Sequence, residues 1–222
     1  MRSTKVAAVE RGFRVVAGQE EWPADGVVLA VPPEAAARLA SAVGVTGTAR
    51  WAGLRSSPIV NVHVVFDRRV TDLPFAAALN SPVQWLFDKT AQSGLAAGKG
   101  QYLAISLSAA DEWIDIPAAQ LRAVFVPELG RLLPAAASAR VTDFFVTRER
   151  RATFRQAPGT AQLRPGTATS VPGLVLAGAW TRTGWPDTME GAVRSGENAA
   201  HELTAQLGGR GLRAPMTAGA QQ

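Results

Sequence analysis

Three small residues recur at four-residue intervals near the C-terminal end: Gly191, Ser195 and Ala199, within MEGAVRSGENAA (189–200). On a helix this spacing puts all three on one face and leaves it almost bare of side chains. Just upstream, LVLAG (174–178) is an apolar run ending in glycine, and AWTRTGWPDT (179–188) joins it to the helix. A strand that ends where a helix opens collects free N–H donors and the partial positive charge of the helix start. That setting suits a flat, electron-rich group, and ligands bind outside the carboxyl ends of parallel strands. The bare face would serve close packing on another element equally well, so both readings stand.

Other chemistry-bearing residues are scattered. His63 lies on the polar side of PIVNVHVVF (58–66) and suits either a structural hydrogen bond or a catalytic role. Trp180 and Trp185 read as the wall of an apolar cavity or as packing. Arg148, Arg150, Arg151 and Arg155 read as a patch for an anionic membrane or a partner enzyme, or as a solvated strand edge. His201 receives no role. There is no cysteine, which excludes disulfides and thiolate chemistry, and two distant histidines give no metal-ligand spacing. No general acid, base or nucleophile constellation stands out.

The net charge is +5, from 23 basic and 18 acidic residues, and arginine supplies nearly all of the basic ones. Without lysine and interleaved aromatics on a recognisable module, this argues against nucleic acid as a partner. No apolar run reaches the roughly 18 residues of a membrane span, and MRSTKVAAVERGFRVV has no apolar signal region. The expected location is cytoplasmic, with peripheral membrane contact left open.

The elements that must position these residues come in two textures. KVAAVERGFRVV predicts two β-segments turning at Arg11-Gly12, and GVVLAV (26–31) predicts a buried strand before a Pro-Pro break and an alanine-rich helix. From about 58 the pattern alternates, with Val60, Val62, Val64 and Phe66 on one face and SPVQWLFD and QYLAISLS as partner strands. PAAQLRAVFVPELGRLLP predicts a helix kinked at Pro127, and ARVTDFFVTRER a further strand. The last helix is expected to start at Asp187 or Thr188, with Asp187 and Glu190 as a capping box. Its expected apolar stripe is Ala192, Val193, Gly196, Ala199, Ala200, Leu203 and Leu207, closed by Gly208-Gly209. Pieces of a parallel sheet thus flank an antiparallel unit.

At these residues a resemblance can be stated. AGAWTRTGWPDTMEGAVRSG resembles the C-terminal FAD motif of the amine-oxidase and phytoene-desaturase superfamily, and among its members the squalene-associated FAD-dependent desaturases, the hydroxysqualene dehydroxylases. PIVNVHVVFDRRVTDLPF, SPVQWLFD and RRATFRQAPGTAQLRPGTATSVPGLVLAG look like the same family. The likeness implies an α/β (α+β) fold in which an incomplete FAD-binding Rossmann-like domain is interrupted by an antiparallel-sheet-plus-helix substrate domain. The implied bounds are 1–48 and 151–207 for the FAD-binding parts, 49–150 for the substrate domain and 208–222 for a disordered tail. It also implies FAD as cofactor and a lipophilic isoprenoid as substrate. Carried over residue by residue, it puts Gly178, Ala179 and Trp180 by the ribityl–pyrophosphate and the helix start from Thr188 through Met189, Glu190, Gly191 and Ala192 by the flavin pyrimidine edge. Val6 matches a position whose backbone pairs with adenine, and Pro32 one beside the phosphates. Trp185 and His63 are carried as substrate-side residues.

Two departures matter. No GxGxxG loop occurs within the sequence, so a separate chain carrying that half, or a start placed too far downstream, enters as an expectation. The family carries Asp or Glu where this chain has Ala179. Loss of that charge-assisted bond costs ~1.5–3 kcal/mol, about ten- to a hundredfold in affinity. With both absent, the chain alone is expected not to retain FAD.

Overall fold

The computed structural model describes residues 5–10, 12–96 and 98–208. It divides into two compact units, Met1–Arg55 with Phe154–Gln222, and Ser56–Thr153. The first is therefore built from two separated stretches of chain.

In the first stretch, β1 (Val6–Glu10) pairs antiparallel with β2 (Arg14–Ala17), and β2 with β3 (Glu20–Pro23). β3 is exposed throughout, which is why EEWP gives no apolar alternation to read. β4 (Val27–Leu29) is shorter than the expected strand, and Val28 is 41% exposed rather than buried. Only Val27 and Leu29 turn into the core of this unit. α1 (Pro33–Ala42) starts on two prolines, where the missing N–H groups leave no bond unmade. Its buried Ala36, Leu39 and Ala40 follow helical spacing.

The second unit is an antiparallel sheet backed by a helix. β5 (Ser56–Phe66), β6 (Phe75–Ala77), β7 (Trp85–Asp88), a short helix α2 (Thr90–Ser93), β8 (Gln101–Ser108), α3 (Ala118–Leu132) and β9 (Val141–Phe154) follow in order. The sheet order is β6-β7-β8-β5-β9. As alternation demands, Val60, Val62, Val64 and Phe66 of β5 and Leu103, Ile105 and Leu107 of β8 point inward, each no more than 1% exposed. Leu121, Phe125 and Leu129 of α3, spaced four apart, pack on the same core. Burying each such side chain contributes about 1.5–3 kcal/mol. α3 continues through Pro127, which gives up one backbone bond inside the helix.

Back in the first unit, β10 (Leu174–Leu176) pairs in parallel with β4, in the register Val27–Leu174, Val28–Val175 and Leu29–Leu176. All three β10 residues are fully buried. α4 (Met189–Gly208) covers it, with Ala199 and Leu203 on Val175 and Ala177. The buried line of α4 is Gly191, Ser195 and Ala199, and the expected stripe is corrected: Ala192, Val193, Gly196 and Ala200 are exposed. Close approach to the strand, which hydropathy does not register, decides which face goes inward. The helix includes Gly208, and the rest of the tail expected over 208–222 lies outside the described residues.

Candidate functional site: a strand-to-helix corner

β10 runs out at Gly178, whose φ of +136° is open to glycine and rarely to other residues. A Cβ there would run into the Trp180 indole nitrogen. The Gly178 N–H donates to Ser195 Oγ at 2.7 Å, and that hydroxyl donates to the Ala192 carbonyl at 2.6 Å. One serine thus ties the strand end to the first turns of α4. At Gly191 a Cβ would lie 2.6 Å from the Pro186 carbonyl oxygen and 3.6 Å from the Ala179 Cβ. The bare helix face is therefore filled by the chain's own strand and loop.

The cap differs from expectation. The Asp187 carboxylate accepts from the Phe154 N–H at 2.7 Å. Thr188 caps α4 instead: its Oγ1 accepts from the Gly191 N–H at 3.1 Å, and its carbonyl from the Ala192 N–H at 3.0 Å. Glu190 pairs with Arg194 at 2.7 Å, and the Arg194 guanidinium lies 4.7 Å from the centre of the Trp185 ring. The N–H groups of Met189 and Glu190 find no acceptor among the described residues. With Thr188, whose N–H also finds no acceptor among the described residues, three of the five residues Thr188 to Ala192 keep free donors at the positive end of the helix.

The loop between Gly178 and α4 is held from inside by Arg164. Its guanidinium donates to the carbonyls of Ala179, Trp180, Thr181 and Trp185 and to Thr183 Oγ1, and it lies 5.1 Å from the centre of the Phe154 ring. Burial pushes this guanidinium down from its ordinary value, and Asp187 opposes the shift. Sequence reasoning missed Arg164. No local pattern marks it, because its partners are backbone oxygens 15 to 21 positions along the chain. Trp180 is a core residue: its indole N–H donates to the Val31 carbonyl at 3.0 Å, and its ring tilts on Trp51 at 5.7 Å. Trp185 is 42% exposed.

Val6 opens β1 and pairs with Ala17 beside a bulge. Pro32 precedes α1, where its carbonyl accepts from the Ala36 N–H. His63 belongs to the second unit, on the outer side of β5. Its Nδ1 lies 2.8 Å from the Tyr102 hydroxyl and its Nε2 3.0 Å from Thr147 Oγ1. Burial lowers the His63 pKa and raises that of Tyr102. The two sides of the sequence-predicted set, Trp185 and His63, fall in different units. Tyr102 and Thr147 were not anticipated, although alternation in QYLAISLS does put a lone tyrosine opposite the core-facing leucines. Arg148 donates to the Ile116 carbonyl and Arg150 pairs with Asp115 at 2.6 Å, so these two are tied into their own unit.

Residues 2–204 match the model of the flavin containing amine oxidoreductases. The chain belongs to that family. The family's cofactor is FAD. The chain is 36% identical, over 181 residues, to hydroxysqualene dehydroxylase of Sinorhizobium fredii, covering 80% of this chain and 38% of that protein. It is 26% identical over 160 residues to 15-cis-phytoene desaturase of Synechococcus elongatus, covering 69% and 34% of the two chains. The crystal structure of a putative protoporphyrinogen oxidase from Exiguobacterium shares the fold, with a TM-score of 0.67 and 14% identity over 92% of this chain and 47% of that one. The chain thus spans less than half the length of each of these three proteins.

The residues of the corner fit one end of the cofactor. Unused N–H donors at a helix start suit the pyrimidine edge of a flavin, which gathers negative charge on reduction. No side-chain carboxylate stands at Ala179, and the Ala179 carbonyl already accepts from Arg164 at 2.8 Å. Among the described residues no group of three or more His, Cys, Asp or Glu is placed to hold a metal. None of their helices is long and apolar enough to cross a membrane.

Proposed function

We propose that this chain forms part of an FAD-dependent oxidoreductase of isoprenoid metabolism, acting as a hydroxysqualene dehydroxylase that removes a hydroxyl reductively to leave squalene. The observation that carries this reading is the corner at the end of β10, where the N–H groups of Met189 and Glu190, at the start of α4, find no acceptor among the described residues. The 36% identity to a hydroxysqualene dehydroxylase supports the choice of substrate. In this reading the first unit is an incomplete Rossmann-like FAD-binding domain, and the second, inserted into it, is the substrate domain.

FAD supplies hydride transfer when bound, and the protein supplies orientation and an apolar environment. Met189 and Glu190 would donate to the flavin pyrimidine edge from the helix start. Gly178 and Ala179 would lie by the ribityl–pyrophosphate, Val6 would pair with adenine through its backbone, and Pro32 would pass near the phosphates. Arg164 fixes the loop that carries the corner, and Trp180 anchors it in the core. A membrane-soluble substrate makes peripheral contact with a lipid surface part of the proposal.

No glycine loop for the pyrophosphate occurs in the sequence. We propose that polypeptide outside these 222 residues supplies it, either continuous with this chain or as a separate subunit. The support is β4. It pairs with β10 on one side, has no strand on its other edge among the described residues, and exposes Val28. A further parallel strand would pair there. A second reading, desaturation of a carotenoid, is favoured by the likeness to phytoene desaturase.

The test supplies the assembled flavoprotein with reduced FAD and hydroxysqualene and follows the product by mass spectrometry. Squalene formation is expected. Bound flavin with no squalene formed, together with desaturation when phytoene and oxidised FAD are supplied instead, would move the assignment to the second reading.

A further inference from the structure

The outer side of the five-stranded sheet carries a chain of polar groups that ends at a cleft. Alternation in β5, β8 and β9 sends Asn61, His63, Tyr102 and Thr147 away from the core. Asn61 Nδ2 donates to Thr147 Oγ1 at 3.4 Å, Thr147 Oγ1 meets His63 Nε2 at 3.0 Å, and His63 Nδ1 meets the Tyr102 hydroxyl at 2.8 Å. Phe145 stacks on the imidazole, with ring centres 4.4 Å apart and planes 12° from parallel. Beside this chain lies a cleft of about 420 Å³ lined by Val65, Ser93, Gly94, Leu95, Tyr102 and Phe145.

Among the described residues no charged side chain lines the cleft, so a phosphate, carboxylate or ammonium group would enter it without a partner from them and at the cost of its hydration. Ser93 is already engaged: its hydroxyl donates to the Thr90 carbonyl at 2.8 Å and accepts from the Leu95 N–H at 3.2 Å. Tyr102 is the remaining polar side chain. If hydrogen bonds run from Asn61 through Thr147 and a neutral His63, the imidazole Nδ1–H donates to the phenol oxygen. The phenol O–H is then left to donate to something else.

We propose that this cleft binds an apolar isoprenoid bearing a single hydroxyl, and that the Tyr102 phenol, oriented by His63, donates a hydrogen bond to the hydroxyl oxygen. The proposal rests on the reading of the protein as an enzyme of isoprenoid alcohols and names the residue that recognises the alcohol. Apolar walls select the hydrocarbon, and one donor at the rim distinguishes an alcohol from the hydrocarbon of the same length. A bound hydrocarbon would strip water from the phenol without giving it a partner, so the site would discriminate against the hydrocarbon.

Tyr102 is the only tyrosine in the chain, so a tyrosine labelled with ¹³C at Cζ gives one NMR signal that reports this phenol. The whole chain, without flavin, is titrated with farnesol and with farnesene. Farnesol is expected to shift the signal saturably and to bind about tenfold more tightly than farnesene. Tyr102→Phe, checked for an unchanged thermal melt and read by the fluorescence of labelled ligand analogues, should bring the two affinities together. His63→Gln should leave the cleft able to bind and narrow the preference. Equal binding of the two probes to the unaltered chain, or no shift with either, would overturn the proposal. Because no flavin is present, a chain that selects farnesol but never assembles with FAD would fail the functional assignment and uphold this one.

Discussion

The corner at Gly178 and the outer side of the five-stranded sheet represent two ways of making a site. At the corner, function is prepared by what is absent: Gly178 and Gly191 let backbone approach backbone, and the remaining donors are main-chain N–H groups. On the sheet, recognition comes from side chains, with His63, Tyr102 and Phe145 held against one another by ring stacking and hydrogen bonds. The first kind tolerates no added atom. The second tolerates a change of shape better than a change of polarity.

Arg164 is the side chain on which the corner depends most. Arg164→Ala strips donors from four carbonyls of the corner loop, and stability in urea is expected to fall by on the order of 3 kcal/mol. Arg164→Lys should recover less than half, because an ammonium cannot fork between several acceptors. A loss below 1 kcal/mol would mean that the loop holds itself.

A smaller effect sharpens the comparison at two glycines of α4. Gly191→Ala puts a methyl 2.6 Å from the Pro186 carbonyl and is expected to cost about 1–3 kcal/mol. Gly196, on the exposed side, has nothing within 4 Å of an added Cβ. Gly196→Ala should therefore stabilise by about 0.5–1 kcal/mol through helix propensity alone. Thermal melts of the two variants should move in opposite directions.

The smallest effect belongs to the sheet. Burial holds the His63 pKa below its ordinary value of 6.5, so the unfolded chain takes up this proton first as pH falls. The contribution is fully present above that ordinary value and declines as pH drops from it toward the lowered folded value. Melting temperature should fall over that window, and His63→Gln should flatten the decline. An unchanged slope in His63→Gln would assign the decline to other groups.

How much of this was legible in the sequence follows from the same contrast. The strict alternation of PIVNVHVVF gave β5 its inward and outward faces, and strand-then-helix texture located β10 and α4. The buried side of α4 escaped because glycine, serine and alanine carry little hydropathy, while Val193, which carries more, is 58% exposed. The cap was misread because Asp187 has the right spacing to Glu190 but spends its carboxylate on Phe154, 33 residues away. Arg164 and the Tyr102–His63–Thr147 chain depend on partners distant in sequence, which a one-dimensional pattern does not hold.

In the proposed arrangement this chain brings the flavin-edge donors of the corner, and a strand and glycine loop that pair on β4 hold the pyrophosphate. The direct test is visible absorbance after incubation with FAD and desalting, for the chain alone and for the chain mixed with the N-terminal FAD half of a hydroxysqualene dehydroxylase. A colourless chain alone and retained flavin in the mixture are expected. Flavin retained by the chain alone, or lost from a mixture in which the two parts associate, would contradict this arrangement.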